Sequence, residues 1–265
     1  MNDVLIPFRP LADKIISGLD YEIDDNWRQG RTAYGGLTAG LSLAAAYRDF
    51  SDLPPLRSAQ IAFVGPVTET PIFETRLLRQ GRNVTSVNVM GLMGDKVASN
   101  ATLMFGAARE SAIKQNLPMP ATPSPEECAP FHQKDHLPFT PKFTHHFDML
   151  LIEGDRPFSG SDRGYIRCWT RHKDPNCWDG ADSFMCLGDV LPPSAFPMFT
   201  AMGPISSMNW HMNILVDEIS TDDGWFQIET ILNAARGGYC SQLMRFWNRK
   251  GDLIAEGMQS VAVFI

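Results

Sequence analysis

The chain repeats one order of segments on either side of a proline-rich stretch, and that repeat limits its fold more than any other feature. Between about Ala108 and Pro141 the sequence ARESAIKQNLPMPATPSPEECAPFHQKDHLPFTP has no sustained apolar period and reads as a linker. Before it, a short extended segment near Tyr21 to Arg28 leads into YGGLTAGLSLAAAYRDF. Two glycines open that Ala- and Leu-rich run, so a helix is expected from Gly35 to Phe50, stopped by Pro54 and Pro55. Four strand-like runs follow: SAQIAFVGPV, PIFETRLLRQ, NVTSVNVMGLM and KVASNATLMFG. Behind the linker, FTHHFDMLLI and GYIRCWTRH read as strands and ADSFMCLGDVLPPSAFPMF as an irregular helix. Four more strands are expected in ISSMNWHMNILV, WFQIETILNAA, YCSQLMRFWN and LIAEGMQSVAVF. The predicted organisation is an N-terminal unit (1–107), a linker (108–141) and a C-terminal unit (142–265).

The last hairpins of the two halves superpose by sequence. Gly94-Asp95 falls on Gly251-Asp252, and the same offset puts Ala98 on Ala255 and Thr102 on Gln259. A Gly-Asp pair suits a tight turn needing positive φ. One helix followed by a long antiparallel meander, twice, has a simple packing solution. Each sheet curls around its own helix, and the two sheets join edge to edge, removing two exposed edges. The fold class is α+β.

Composition narrows the function classes. Hydrophobic residues make up 44% and charged residues 20% of 265, the balance of a globular protein. The formal net charge is -7 and no Lys/Arg run appears, which argues against a nucleic-acid partner. No apolar stretch approaches the ~20 residues of a membrane helix. The opening MNDVLIPFRPLADK lacks the basic and apolar regions of a signal peptide, so a cytoplasmic location is expected. Five irregularly spaced cysteines (Cys128, Cys168, Cys177, Cys186, Cys240) read as reduced thiols rather than a disulfide or zinc framework.

Several segments together resemble the fused double hot-dog acyl-CoA thioesterases, such as bacterial thioesterase II. RQGRTAYGGLTAGLSLAAA is similar to the Gly-Gly opening of that family's first helix, and SAQIAFVGPV to its first long strand. GDVLPPS resembles its Asp-containing helix segment, PISSMNWHMNI its strand with a hydroxyl near the start, and GDLIAEGMQSVAVF its final hairpin with a glutamine. The resemblance spans nearly the whole chain and implies a double hot dog, two fused hot-dog units. It implies hydrolysis of an acyl-CoA or similar acyl-thioester, no cofactor, and pairing into homo-oligomers. The family's Asp, hydroxyl and Gln fall on Asp189, Ser207 and Gln259. Ser206 lies one step away; only one of the two serines can face the site, and the alternation of Met208, Trp210 and Met212 selects Ser207.

In this reading Asp189 deprotonates a water that Ser207 and Gln259 orient. Burial would raise the carboxyl pKa and make it a better base. Gly35 and Gly36 offer helix-start N–H groups for the carbonyl oxygen. Tyr34, Phe63, Trp210 and Met212 are candidates for the acyl slot, and Arg79 and Arg82 for coenzyme A phosphates. Each has a plainer alternative: a cap for Asp189, a strand start for Ser207, a structural turn for the glycines, core packing for the aromatics, solvated surface for the arginines. Gln259, between Met258 and Val261 in an apolar strand, needs partners if buried. His132 with His136, and His145 with His146, lack the further ligands a metal would want, so no metal is expected. The hot-dog hydratases resemble one another in an Asp followed five positions later by His; position 194 is Ser194. A non-catalytic acyl-CoA-binding module is the other alternative. Thr102, standing at the Gln259 position, indicates that the first half lacks chemistry of its own.

Overall fold

The computed structural model describes residues 5–133 and 140–264. The helix that opens the described chain, α1 (Phe8–Ile16), was not expected from sequence. It buries Phe8, Leu11, Ala12 and Ile15, one stripe at the i, i+3, i+4, i+7 spacing of an amphipathic helix. Arg9 forks onto Asp182 with two hydrogen bonds of 2.8 Å and so ties this helix to the second half of the chain.

The predicted strand near Tyr21 to Arg28 does not form. Asp25–Trp27 is a single 3-10 turn whose start is capped by Asp24, and Arg28–Gln29 (β1) pairs only with Thr32–Ala33 (β2). Packing decides this: the Trp27 ring stacks on His146 at 3.8 Å, so the chain turns inward instead of joining the sheet. Next comes α2 (Gly35–Asp49), buried without interruption from Gly36 to Ala46. A helix enclosed on all sides needs small residues. A Cβ on Gly40 would come within 2.7 Å of the Asp182 carbonyl.

The strands β3 (Leu56–Phe63), β4 (Ile72–Gln80), β5 (Val84–Met93) and β6 (Lys96–Gly106) follow as expected from their alternation. In the second half β8 (Phe147–Gly154) starts later than predicted, because Lys142–His146 forms a 3-10 segment after Pro141. Then come β9 (Tyr165–His172), α3 (Ala181–Gly188), β10 (Ile205–Ile214), β11 (Phe226–Arg236), β12 (Tyr239–Asn248) and β13 (Leu253–Val263). Helix α3 ends before Asp189, since Pro192 and Pro193 just beyond cannot continue it. With β7 (Ala129–Pro130) at one edge, these strands make one eleven-stranded antiparallel sheet. Its order is β4-β5-β6-β3-β10-β13-β12-β11-β9-β8-β7. The halves meet at β3 and β10, which pair from Asn209↔Ala62 to Asn213↔Ser58. This is the double hot dog: α2 and α3 pack together on one side of a sheet shared by both units.

The duplication extends to irregularities. β3 and β6 carry a bulge between Leu56 and Ser58, and β10 and β13 carry the matching one between Ser207 and Asn209. These bulges correct the sequence superposition. Phe105 matches Val261 and Met104 matches Ser260, so the counterpart of Gln259 is Leu103, not Thr102. The turn after β12 is longer than the turn after β5, so anchoring on Gly-Asp slips the register by one residue. A slip of one moves a side chain to the opposite face.

The segment between β6 and β8 is not an unattached linker. It crosses the sheet face opposite the helices, over the cross-strand row Trp169–Gln227–Trp247. The Trp247 indole donates to the Leu117 carbonyl (3.1 Å), Thr122 to Gln227 (2.7 Å), and the Trp169 indole to the Pro123 carbonyl (2.9 Å). It then adds β7 to the sheet.

Candidate active site

Asp189 is the residue at which α3 stops, partly buried, with its carboxylate between the two helices and β13. Gln259 projects from β13 on the inner face and donates from Nε2 to Asp189 Oδ1 at 2.8 Å. The main-chain N–H of Gly36, in the first turn of α2, also points to this carboxylate. Gly35 lies directly beneath it. A Cβ there would sit 2.6 Å from Asp189 Oδ2 and 3.1 Å from the Phe63 ring. The site is therefore composite: Asp189 and Gln259 come from the second half, and Gly35, Gly36 and Phe63 from the first.

Burial sets the electrostatics. Desolvation pushes the Asp189 carboxyl up from its ordinary 3.8 to about 7, while the Gln259 amide and the Gly36 N–H pull it part of the way back. Its titratable neighbours are Tyr34 and Cys186, whose phenol and thiol are pushed up first by burial and further by the Asp189 charge. A carboxyl poised near neutrality can take a proton from water far more readily than one near 4.

The remaining predicted residues separate into those at the site and those beside it. Ser207 pairs with Val261 and, through the bulge, shares the inward face with Trp210, the partner of Gln259. Ser206 pairs with Ala262 and is exposed on the other face. Among the described residues the Ser207 hydroxyl makes no hydrogen bond to Asp189 or Gln259. Trp210 and Met212 are fully buried and pack on Gly188, where a Cβ would lie 2.9 Å from each. They form the floor under Asp189. Tyr34 is committed elsewhere: its ring stacks on Phe143 at 4.0 Å and its hydroxyl donates to the Cys186 carbonyl at 2.9 Å. That bond joins the start of α2 to the end of α3, so Tyr34 clamps the two helices together. Arg79 lies near the end of β4 and Arg82 in the turn that follows, and β4 is five strands from β13 in sheet order.

Two residues were missed from sequence. Gln242 on β12 lies directly across from Gln259 and donates from Nε2 to its Oε1 at 2.7 Å. Ser194, in the loop after α3, donates to Gln242 Oε1 from both its main-chain N (2.8 Å) and its hydroxyl (3.0 Å). The signal for Gln242 was present: it interrupts the buried alternation Cys240, Met244, Phe246. Among the described residues no three His, Cys, Asp or Glu side chains gather as a metal requires, and no helix is long and apolar enough to cross a membrane. His146 spends its ring on Asn26 and Trp27; His136 lies outside the described residues.

Comparisons with known proteins bear on the family and the fold. A family model for the acyl-CoA thioesterase N-terminal domain matches residues 23–106, and one for the C-terminal domain matches 125–263. No curated protein sequence matches. A conserved hot-dog protein of unknown function from Alicyclobacillus acidocaldarius is 20% identical, with 92% of each chain covered and a TM-score of 0.82. The tesB protein of Mycobacterium avium subs paratuberculosis is 18% identical, covering 96% of this chain and 100% of its own, with a TM-score of 0.72. An acyl-CoA thioesterase II from Mycobacterium marinum is 17% identical, covering 96% and 98%, with a TM-score of 0.71. With both halves matched in order and the double hot-dog fold in place, the chain belongs to the acyl-CoA thioesterase family.

Proposed function

We propose that this protein hydrolyses an acyl-CoA thioester, with Asp189 as the general base. The observation that carries this reading is a partly buried carboxylate between two helices, held by the Gln259 amide at 2.8 Å, faced by the Gly36 N–H and pushed by desolvation up to about 7. A water held against Asp189 gives it a proton while its oxygen attacks the thioester carbonyl carbon. The resulting tetrahedral oxyanion is stabilised by the N-terminal N–H groups of α2. Collapse breaks the C–S bond, Asp189 returns the proton to the departing thiolate, and a carboxylic acid and coenzyme A leave. Ser207, on the same inward face, orients the water. Phe63 forms the apolar wall beside the carboxylate, and Trp210 with Met212 the floor.

Ser194 supports hydrolysis over hydration. It stands where the hydratases carry His, and both its donors are committed to Gln242. The test is free-thiol release from short, long and aromatic acyl-CoAs. The reading predicts release from at least one class. Measurable affinity with no release would make the protein a binding module, and consumption of an enoyl-CoA without thiol would make it a hydratase.

A further inference from the structure

We propose that Gln242, backed by Ser194, is a positioning residue that locks the rotation of the Gln259 amide so that only its NH2 end faces Asp189. The consequence for rate rests on the hydrolase reading; the geometry does not. A carboxamide turned by 180° has nearly the same shape, so Gln259 alone does not dictate which end meets the carboxylate. The main-chain N–H of Ser194 breaks the ambiguity, because it can only donate. The Gln242 atom 2.8 Å from it must be the oxygen. The Gln242 NH2 group is then left for Gln259, 2.7 Å away, which must present its own oxygen there. The Gln259 NH2 group is left for Asp189 Oδ1 at 2.8 Å. Donor follows donor in one direction, from a backbone N–H to the carboxylate.

The relay is sealed from water: Ser194 is 0%, Gln242 1% and Gln259 3% exposed. Flipping either amide would set two donors face to face with no water to rescue them, a costly arrangement for buried groups. Gln259 holds Oδ1, while Oδ2 lies over Gly35, where an added Cβ would also meet the Phe63 ring. In the first half the matching positions are Val87 and Leu103, so this relay belongs to the second half alone.

The test combines two readouts on the native protein, Gln242→Met and Ser194→Ala. One is the titration of the Asp189 carboxyl followed by carbon-13 NMR, its signal assigned by its loss in Asp189→Asn. The other is the pH profile of acyl-CoA hydrolysis. Tyr34 and Cys186 face Asp189 from α2 and α3, while β3 and β13 present Phe63 and Gln259. Both ionisable neighbours stay protonated through neutral pH, so the titration reports the carboxyl. In Gln242→Met the freed Gln259 amide no longer donates at all times. The Asp189 midpoint is expected to rise by roughly half to one pH unit, and kcat to fall about 10-fold with KM little changed. Ser194→Ala keeps the backbone N–H and is expected to move the midpoint the same way by less. It also decides the matter should Gln242→Met fail to unfold cooperatively. No movement of the midpoint in any folded variant overturns the proposal. A shifted midpoint in a protein that releases no thiol upholds the positioning and removes the hydrolase reading instead.

Discussion

The proposed chemistry rests on a single carboxyl. Burial raises the pKa of Asp189, so the folded chain holds this proton more tightly than the unfolded chain does. The sign follows. The group contributes most to stability below its ordinary 3.8, and that contribution is lost as pH rises through about 7. In the proposed reaction the base is thus maintained at a cost to the fold at the pH where it would act. Two outcomes are expected: turnover declines on the acid side with a midpoint near pH 7, and Asp189→Asn has a thermal midpoint at pH 8 no lower than the native protein. The first is read from the pH dependence of kcat/KM, the second from thermal unfolding. The places of Asp189 and Gln259 were legible in the sequence because the resemblance fixed them in two short motifs. Gln242 stood out only as a polar residue in an apolar alternation, and its bond to Ser194 was not legible, because it joins residues 48 apart that only the finished sheet brings together.

At the scale of elements, the start of α2 and the end of α3 are pressed together by glycines that admit no side chain. A Cβ on Gly35 would intrude on Asp189 Oδ2 and the Phe63 ring, whereas one on Gly36 would meet the Cys186 carbonyl and the Tyr34 hydroxyl. Gly35→Ala is therefore expected to lower kcat, measured by thiol release, more than it lowers stability. Gly36→Ala is expected to cost about 1–3 kcal/mol, measured by denaturant unfolding, because the helices must part. The strands were readable because half-buried strands alternate. The boundaries near Trp27 and Phe147 were not, since aromatic stacking and a proline override local pattern there. Helix α1 went unread, although its apolar spacing was present in FRPLADKII. The register of the two halves slipped because turns vary in length while bulges keep their place.

The two halves share one eleven-stranded sheet and both contribute to the candidate site. The first half turns the Gly36 N–H toward the Asp189 carboxyl, and β10 would be an unpaired edge without β3. Residues 108–265 produced alone are expected to aggregate or to release no thiol, and co-production with 1–107 to restore soluble, active protein. Size-exclusion chromatography with a thiol assay distinguishes these outcomes. The proline-rich crossing is a strap whose carbonyls accept from two indoles. Trp247→Phe keeps the ring but loses one of those bonds. It is expected to cost about 1 kcal/mol and to speed protease cleavage between Ala108 and Pro123, with turnover unchanged. Composition alone marked this stretch as a linker, since its prolines and polar residues do not reveal which tryptophans will hold them.

In the proposed reaction one half-hidden acid, Asp189, drives the cleavage. The most direct check compares thiol release by the native chain and by Asp189→Asn on the acyl-CoA the native chain cleaves best, with thermal unfolding recorded for both. A loss of ~10²–10⁴ in kcat with a cooperative unfolding transition intact is the predicted result. Undiminished turnover in a folded Asp189→Asn protein would contradict it.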